Sequence, residues 1–180
     1  MPKDKKVKSK AEQLKEEFYK GMAELRESQK KTEKIVREVT GGFGKFTEGL
    51  VEPNVIPLFK QFGIDITETA PRVKRYLDGE TMEVDILAKG KVKGKEEIII
   101  FIEAKTDPTQ RDIKDVIRDI DEFFKFFDEY KGRCVIGAIA GIKITQGVKN
   151  YAEKCGLYVL APSGDTMIIL NKPDFKPKRW

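Results

Sequence analysis

Apolar and polar positions divide the chain into a helical N-terminal part and a mixed α/β part. Over the first forty residues, mostly apolar or small residues recur at intervals of four and three, with Glu and Lys beside them. The seam consists of Val7, Ala11, Leu14, Phe18, Gly21, Leu25, Ser28, Thr32, Ile35 and Val39. The pattern predicts a coiled-coil helix, and an amphipathic helix folded onto its own domain is the alternative. Because such a helix cannot bury its apolar stripe alone, we expect a homodimer or a coiled-coil partner through residues 7–39.

A glycine pair at positions 41 and 42 ends this helix. It predicts a boundary between an N-terminal amphipathic helix, residues 1–41, and a second domain, residues 42–180. The second domain opens with a predicted helix over residues 43–61. Pro53 and Pro57 are expected to break or kink that helix.

Strand patterns follow the second helix. Residues 64–76 alternate in polarity and predict two short strands separated by Pro71. Residues 82–88 predict a further strand, residues 89–95 a lysine-rich hairpin turn, and residues 98–105 the next strand.

The remaining pattern alternates helices with strands. A helix is expected to start with Asp107 as N-cap and Gln110 as its capping-box residue, and its wide apolar face continues to Phe127. The unbroken apolar run 134–140 predicts a strand buried on both faces. The last predicted elements are a helix at residues 145–155 and strands at residues 157–160 and 167–170. This order predicts an α/β fold in which a central strand pairs in parallel across the long helix.

Composition narrows the chemistry. The chain has no His, so hydrolysis here must use carboxylates, lysine and a hard metal ion. Charged residues make up 36% of the chain, dominated by Lys and Glu, as in proteins from heat-adapted sources. The net charge of +5 belongs to the two ends, so it does not by itself indicate nucleic-acid binding by the body of the chain. No leader-like or membrane-length apolar run is present, and we expect a soluble, cytoplasmic protein without membrane attachment.

Two charged residues end an otherwise apolar strand. Glu103 and Lys105 project from the same face of the strand at residues 98–105. Buried charges are costly unless they are paired or bind a metal. The preceding strand brings Glu83 and Asp85 near them, and carboxylates beside a lysine suit a divalent site such as Mg²⁺. A cross-strand ion-pair network of a thermostable protein is the alternative.

This arrangement resembles a known nuclease group. Asp85, seventeen intervening residues, and then Glu103-x-Lys105, preceded by a helix with a glutamate, are similar to the signature of the PD-(D/E)XK nuclease superfamily. Val84 stands where the namesake proline would be. The resemblance runs from about Phe43 to Leu170 and implies a restriction-endonuclease-like αβββαβ core, with a mixed central sheet flanked by helices. The long N-terminal helix is an addition outside the resemblance.

The resemblance also implies roles for individual residues. Asp85 and Glu103 would bind Mg²⁺ or Mn²⁺, with the backbone carbonyl of Ala104 as a third ligand. Lys105 would orient or deprotonate the attacking water and stabilise charge on the phosphorus. Glu48, on the preceding helix, would hold a metal-bound water.

Some assignments remain open at the sequence level. Glu52, one helical turn after Glu48, is the alternative for the helix glutamate. Nucleic-acid contacts are predicted at Arg111, Lys89, Lys91 and Lys93. The three lysines belong to the predicted hairpin, whose tip lies roughly 30 Å from Glu103 along the strand, and a solvated hairpin tip is the alternative.

The function implied is metal-dependent hydrolysis of DNA phosphodiester bonds. The alternative is a catalytically silent module with a nuclease fold that binds a partner through its coiled coil.

Overall fold

The chain forms two compact units, Met1–Gly42 and Phe43–Trp180. The computed structural model describes residues 17–22, 24, 26–27, 47–92 and 96–180. The described residues of the first unit are helical. Most of the predicted seam lies outside the described residues, so the coiled coil and the domain boundary stay predictions. Among the described residues, no helix is long and apolar enough to span a membrane.

The second unit contains one six-stranded sheet and four α-helices among its described residues. The strands are β1 (Ile64–Leu77), β2 (Glu80–Val92), β3 (Glu96–Lys105), β4 (Cys134–Gly141), β5 (Tyr158–Ser163) and β6 (Thr166–Ile169). The helices are α1 (Glu52–Lys60), α2 (Gln110–Asp121), α3 (Phe123–Phe126) and α4 (Gln146–Lys154). A π-helical turn, Thr47–Val51, precedes α1, and a 3-10 turn, Asp128–Tyr130, follows α3.

The strands lie in the sheet in their order along the chain. Neighbours pair antiparallel from β1 to β3, in parallel from β3 to β5, and antiparallel at β5–β6. The parallel pairs are connected through α2 and α4. The αβββαβ order, the mixed sheet and the parallel pairing of the central strand therefore confirm the predicted restriction-endonuclease-like fold class.

Both faces of the sheet are covered by apolar cores. On β3, even-numbered residues such as Ile100 and Ile102 pack in the same cluster as Phe59 of α1. The odd-numbered Phe101 packs in the opposite cluster with Ile113 of α2. Because side chains alternate along a strand, burial on both faces requires the nearly continuous apolar sequence that β3 has.

The prediction of two short strands before the hairpin was wrong. Residues 64–77 form one strand, with an irregular register between Ile66 and Glu68. Pro71 is accommodated because β1 is an edge strand, where a missing N–H need not interrupt the sheet. The next residue, Arg72, has a positive φ of 50°, so the strand is locally distorted there without ending.

The predicted hairpin turn was also too long. β2 continues to Val92, and therefore Lys89 and Lys91 lie within the strand. Residues 93–95 lie outside the described residues.

The predicted start of the long helix was wrong by two residues. Thr109, not Asp107, is the N-cap of α2, and its side chain accepts a hydrogen bond from the Asp112 backbone. The Asp112 carboxylate accepts in return from the Thr109 N–H, at 2.7 Å. Thr109 and Asp112 thus form the capping box that was expected at Asp107 and Gln110. The helix is also interrupted at Glu122, where α2 gives way to the short α3.

The C-terminal segment is tied to the sheet. The Trp180 N–H donates to the Val135 carbonyl at 2.9 Å, and the Val135 N–H donates to the Trp180 carbonyl at 3.1 Å. The Trp180 indole N–H donates to Asp121 of α2 at 2.8 Å. The single Trp of the chain is therefore a reporter of the packing between β4 and α2.

Candidate active site

Asp85 lies where β2 leaves its pairing with β3. The last paired residues at this end of the ladder are Ile86 and Ile102, and Asp85 lies one position outside the ladder. Val84 and Ile86 pack in opposite core clusters, although residues two apart in a regular strand share a face. The side-chain alternation of β2 is therefore interrupted at Asp85. Asp85 Oδ2 accepts a hydrogen bond from the Ala104 N–H at 2.8 Å. The carboxylate is thereby fixed to the end of β3.

Glu103 and Lys105 lie beside it at the end of β3. Lys105 Nζ is 2.6 Å from Glu103 Oε1, and the Glu103 side chain is 17% exposed while that of Lys105 is 40% exposed. In the parallel β3–β4 ladder, Lys105 is paired with Gly141. The sequence prediction that Asp85, Glu103 and Lys105 come together is therefore met by the geometry.

Burial makes this site electrostatically unfavourable for negative charge. Desolvation of Glu103, together with the nearby Asp85 charge, raises the pKa of Glu103 to about 7 despite the contact with Lys105. Desolvation also raises the pKa of Asp85, although the Ala104 N–H and Lys105 oppose that rise. For Lys105, burial favours the neutral amine, but the hydrogen bond to Glu103 and the surrounding carboxylates outweigh it and raise its pKa. The ammonium form of Lys105 therefore persists beside carboxyls that resist ionisation.

Glu83 does not join this group as the sequence suggested. Its carboxylate is 2.9 Å from Lys74 Nζ on β1, and both side chains are about half exposed. Glu83 acts on Asp85 only through its charge, which helps to raise the pKa of Asp85. The ion-pair network proposed as an alternative is thus divided, because Glu83 pairs with Lys74 and Glu103 pairs with Lys105.

The helix glutamate is the least defined member. Glu48 lies in the π-helical turn before α1, and its side chain is outside the described part of the structure. Glu52 begins α1, and its Oε1 accepts a hydrogen bond from the Thr69 hydroxyl of β1 at 3.2 Å. Across the described residues, no three Asp, Glu or Cys side chains come together as a metal site. Glu52 is therefore not gathered with Asp85 and Glu103.

The donor set is nevertheless chemically suited to a small divalent cation. Mg²⁺ in proteins commonly takes one or two carboxylates and completes its shell with water. Asp85 and Glu103 supply two partly buried carboxylates, and the backbone N–H of Ala104, the residue after Glu103, donates to Asp85. Burial is the main cause of the raised pKa of both carboxyls, and the nearby Lys105 does not offset it. A bound divalent cation would favour their ionised form.

The predicted lysine contacts differ in their availability. Lys89 is engaged by the protein, because its Nζ is 2.9 Å from Glu68 Oε2 and 5.2 Å from the centre of the Tyr130 ring. Lys91 is exposed on β2, and Lys93 lies outside the described residues. Their contact with nucleic acid stays a prediction.

The contact between two loops beside the site was not predicted from the sequence. The loop after β4 is joined to the loop after β3 by hydrogen bonds from Ile142 N–H to the Lys105 carbonyl and from Lys143 N–H to the Thr106 carbonyl. Arg111, the predicted phosphate contact, is exposed at the start of α2, and its side chain has no ion pair or hydrogen bond with other described residues. The parallel pairing of β3 with β4 brings these two loops together. No local sequence pattern predicts this contact.

An acidic cleft lies between the start of β2 and α2, on the N-terminal side of Asp85 in the strand. It has a volume of about 450 Å³. Its lining residues are Glu80, Thr81, Met82, Glu83, Arg118, Asp119, Glu122 and Phe126. Asp119 contributes to the raised pKa of Glu103, so the cleft and the site share one electrostatic environment.

No family model matches the sequence, and no curated protein matches it. Three solved structures do match. A crystallised protein of unknown function has 17% identity and a TM-score of 0.37, covering 62% of this chain and 58% of its own. A repair endonuclease from Pyrococcus abyssi has 21% identity and a TM-score of 0.37, covering 62% and 45%. The small subunit of a heterodimeric restriction endonuclease has 19% identity and a TM-score of 0.34, covering 67% and 72%.

The chain thus spans about half the length of the first two of these structures. At such identities and TM-scores, the matches do not decide family or activity. The restriction-endonuclease-like fold therefore rests on the element order and strand pairing of the chain itself.

Proposed function

We propose that this protein is a divalent-metal-dependent nuclease that hydrolyses phosphodiester bonds of DNA. One observation supports the proposal most: Asp85, Glu103 and Lys105 converge at the end of a buried strand. The fold needs no such group, since desolvating two carboxylates is costly even beside one lysine. Charged groups gathered at a cost to stability are typical of functional sites. The choice of DNA as substrate rests on the resemblance to the nuclease superfamily.

In this proposal Asp85, Glu103 and the Ala104 carbonyl hold Mg²⁺ or Mn²⁺. The bound ion would polarise the phosphate and lower the pKa of a coordinated water. Lys105 places its ammonium beside the Glu103 carboxylate, at 2.6 Å, where it would orient the water and stabilise charge developing on the phosphate. Glu48 remains the proposed partner of a metal-bound water, with Glu52 the less favoured choice because Thr69 engages it.

Nuclease activity is tested by cleavage of duplex, branched and single-stranded DNA with Mg²⁺, with Mn²⁺ and with EDTA. Wild-type protein should cut at least one substrate only when the divalent ion is present. Lys105→Met should lower the cleavage rate by at least about a hundredfold, as expected for loss of a transition-state charge contact. Lys114→Met, on the exposed side of α2, is the matched control and should retain the rate. Absence of cleavage by folded wild-type protein on all substrates would remove the proposal.

A silent interaction module is the second candidate. The observation in its favour is that no third acidic side chain joins Asp85 and Glu103 within the described residues. Calorimetry separates the two functions, because a nuclease should bind Mn²⁺ in a manner lost in Asp85→Asn. A silent module should show no such binding.

The N-terminal seam is proposed to mediate self-association or binding of a partner helix. Leu14→Glu with Leu25→Glu in the full chain places two charges in that seam. The molecular mass in solution, measured by sedimentation, should then fall from dimer to monomer. An unchanged mass, or a monomeric wild type, would contradict a homodimer.

A further inference from the structure

Arg72 of β1 has a backbone conformation that its place in the chain does not require. Its φ is 50°, in the left-handed region that residues with a side chain rarely adopt. Among the described residues, Asp78 is the other non-glycine residue with a positive φ. Asp78 and Gly79 connect β1 to β2, and two-residue hairpin turns favour a positive φ at both positions. Arg72 lies within a strand, where no turn explains its conformation.

The distortion lies at the level of Asp85 in the sheet. The antiparallel pairs on either side of Arg72 are Pro71–Ile86 and Val73–Val84. Arg72 therefore lies opposite Asp85, and such opposed residues have Cα atoms roughly 5 Å apart. Val73 and Val84 both pack in the cluster on the α2 side, whereas Ile86 packs in the other cluster. Because opposed residues share a face, the side-chain alternation of both strands is interrupted where Arg72 meets Asp85.

The charge of Arg72 acts on the candidate site. Burial raises the pKa of Asp85, and the positive charge of Arg72 is among the influences that oppose this rise. The Asp85 carboxylate also accepts from the Ala104 N–H at the end of β3, where Lys105 lies. β2 lies between β1 and β3 in the sheet, so Asp85 has a cation on the strand at each side of it.

An ion pair with Asp85 does not account for the strained backbone. Arg72 is exposed, and exposed ion pairs stabilise a fold only slightly. Left-handed backbone in a residue with a side chain is destabilising, and such strain is found mainly where a side chain is held in place for a ligand or a reaction. A guanidinium offers several N–H donors in the planar geometry that matches a phosphate.

We propose that Arg72 binds a backbone phosphate of the DNA held at the candidate site, on the opposite side of Asp85 from Lys105. The proposal rests on the proposed nuclease function for its substrate. The alternative is that Pro71 distorts an edge strand, as irregularities often do at sheet edges, and that Arg72 has no ligand.

The salt dependence of DNA binding tests the contact directly. Binding of labelled duplex and single-stranded DNA is measured over a range of KCl concentrations, with Ca²⁺ replacing Mg²⁺. Each phosphate contact adds about 0.9 for duplex DNA, and about 0.7 for single strands, to the slope of log affinity against log salt. Arg72→Ala should lower the slope by that amount and weaken binding by about tenfold. A residue that only supports the fold would leave the slope unchanged.

Arg133→Ala is the matched control. It also removes one arginine, but Arg133 is paired with Glu97 near the start of β3, at 3.1 Å. Glu97 is six residues before Glu103, roughly 20 Å along the strand. Arg133→Ala should therefore leave the slope unchanged and alter the affinity by less than about twofold.

Two substitutions at position 72 test the strain. Arg72→Gly and Arg72→Ala both remove the guanidinium, but only glycine adopts a positive φ without steric cost. Arg72→Gly should therefore unfold at a higher urea concentration than Arg72→Ala, while both lose the same DNA affinity. Equal urea midpoints would refute the strain on which the assignment is based. Arg72→Gly also keeps the binding test valid if Arg72→Ala does not fold.

Cleavage and metal binding separate this proposal from the nuclease proposal. With Mg²⁺ and DNA below its dissociation constant, Arg72→Ala should cut about tenfold more slowly. It should bind Mn²⁺ at least as tightly as wild type, because it lacks a positive charge that repels the ion. Weaker Mn²⁺ binding would assign Arg72 to the metal site and overturn the phosphate contact.

The remaining outcomes are also distinct. Unchanged cleavage and an unchanged salt slope in Arg72→Ala would overturn the contact and leave the nuclease proposal intact. A lowered slope in a protein that never cuts DNA would support the contact and remove the nuclease. Absence of DNA binding by the wild type would remove both.

Discussion

The buried carboxyl of Glu103 makes the stability of the metal-free protein depend on pH. The pKa of Glu103 in the folded state is about 7, against an ordinary value of 4.5. Between these two values the folded state holds a proton that the unfolded state has released. Unfolding then releases protons, so the free energy of unfolding falls as pH rises from about 4.5 to about 7, and it stays low above that range.

The size of this effect follows from the pKa difference. At about 1.4 kcal/mol per pH unit, a rise from 4.5 to about 7 corresponds to roughly 3 kcal/mol. The side chain is 17% exposed, so solvent screening reduces this figure only in part. Asp85 adds to the effect in the same direction, because burial raises its pKa too. Against a total stability of about 5–15 kcal/mol for ordinary domains, such a change is readily measured.

Glu103→Gln isolates the contribution of this carboxyl. The amide cannot ionise, so the difference in unfolding free energy, variant minus wild type, should increase by roughly 3 kcal/mol between pH 5 and pH 8. Urea unfolding in EDTA, followed by Trp180 fluorescence, measures this difference within the second unit. Glu97→Gln, on the same strand and with a side chain 51% exposed, is the control and should show no such increase. A difference for Glu103→Gln that stays constant across this pH range would refute the claim that its carboxyl is buried and repelled by Asp85.

Three further predictions concern metal binding and local structure. At pH 8, Mg²⁺ at a hundred times its dissociation constant should stabilise wild type by about 2.7 kcal/mol in thermal melts, and Asp85→Asn should abolish this gain. Asn171→Ala should cost about 2 kcal/mol in urea unfolding, because the buried Asn171 side chain bonds the Val159 N–H and the Leu157 carbonyl, at 2.7 and 3.2 Å. Thr109→Ala should cost about 1 kcal/mol in the same assay through loss of the α2 cap, and Thr109→Ser should restore most of it.

The parts predicted correctly depend on sequence-local physics. β3 is recognisable because burial on both faces requires its unbroken run of Ile and Phe before Glu103. Asp85 and Glu103 meet because a short hairpin connects their strands, and alternation then fixes which side chains share a face. A signature of three residues became informative only through this setting.

The parts that failed depend on tertiary context. Pro71 was expected to divide a strand, but β1 continues through it because β1 lies at the edge of the sheet. The edge position could not be predicted from the local sequence. Asp107 and Thr109 are both acceptable N-caps by type, and the choice between them depends on where α2 begins relative to the end of β3. The loop after β4 gave no signal, since its backbone meets the end of β3 only through the pairing of Gly141 with Lys105, across strands far apart in the chain.

The unfavourable charge at the site and the proposed need for metal have one physical cause. A phosphate diester cannot approach Asp85 and Glu103 closely while both are ionised and Lys105 does not fully offset them. Protonation below about pH 7 relieves the repulsion for Glu103 but removes the anionic oxygen that a hard cation requires. A divalent ion is the alternative that neutralises both carboxylates and still leaves positive charge facing the phosphate. The burial that lowers the stability of the metal-free protein above pH 7 is therefore the same feature that favours metal binding and, in our proposal, makes hydrolysis depend on it.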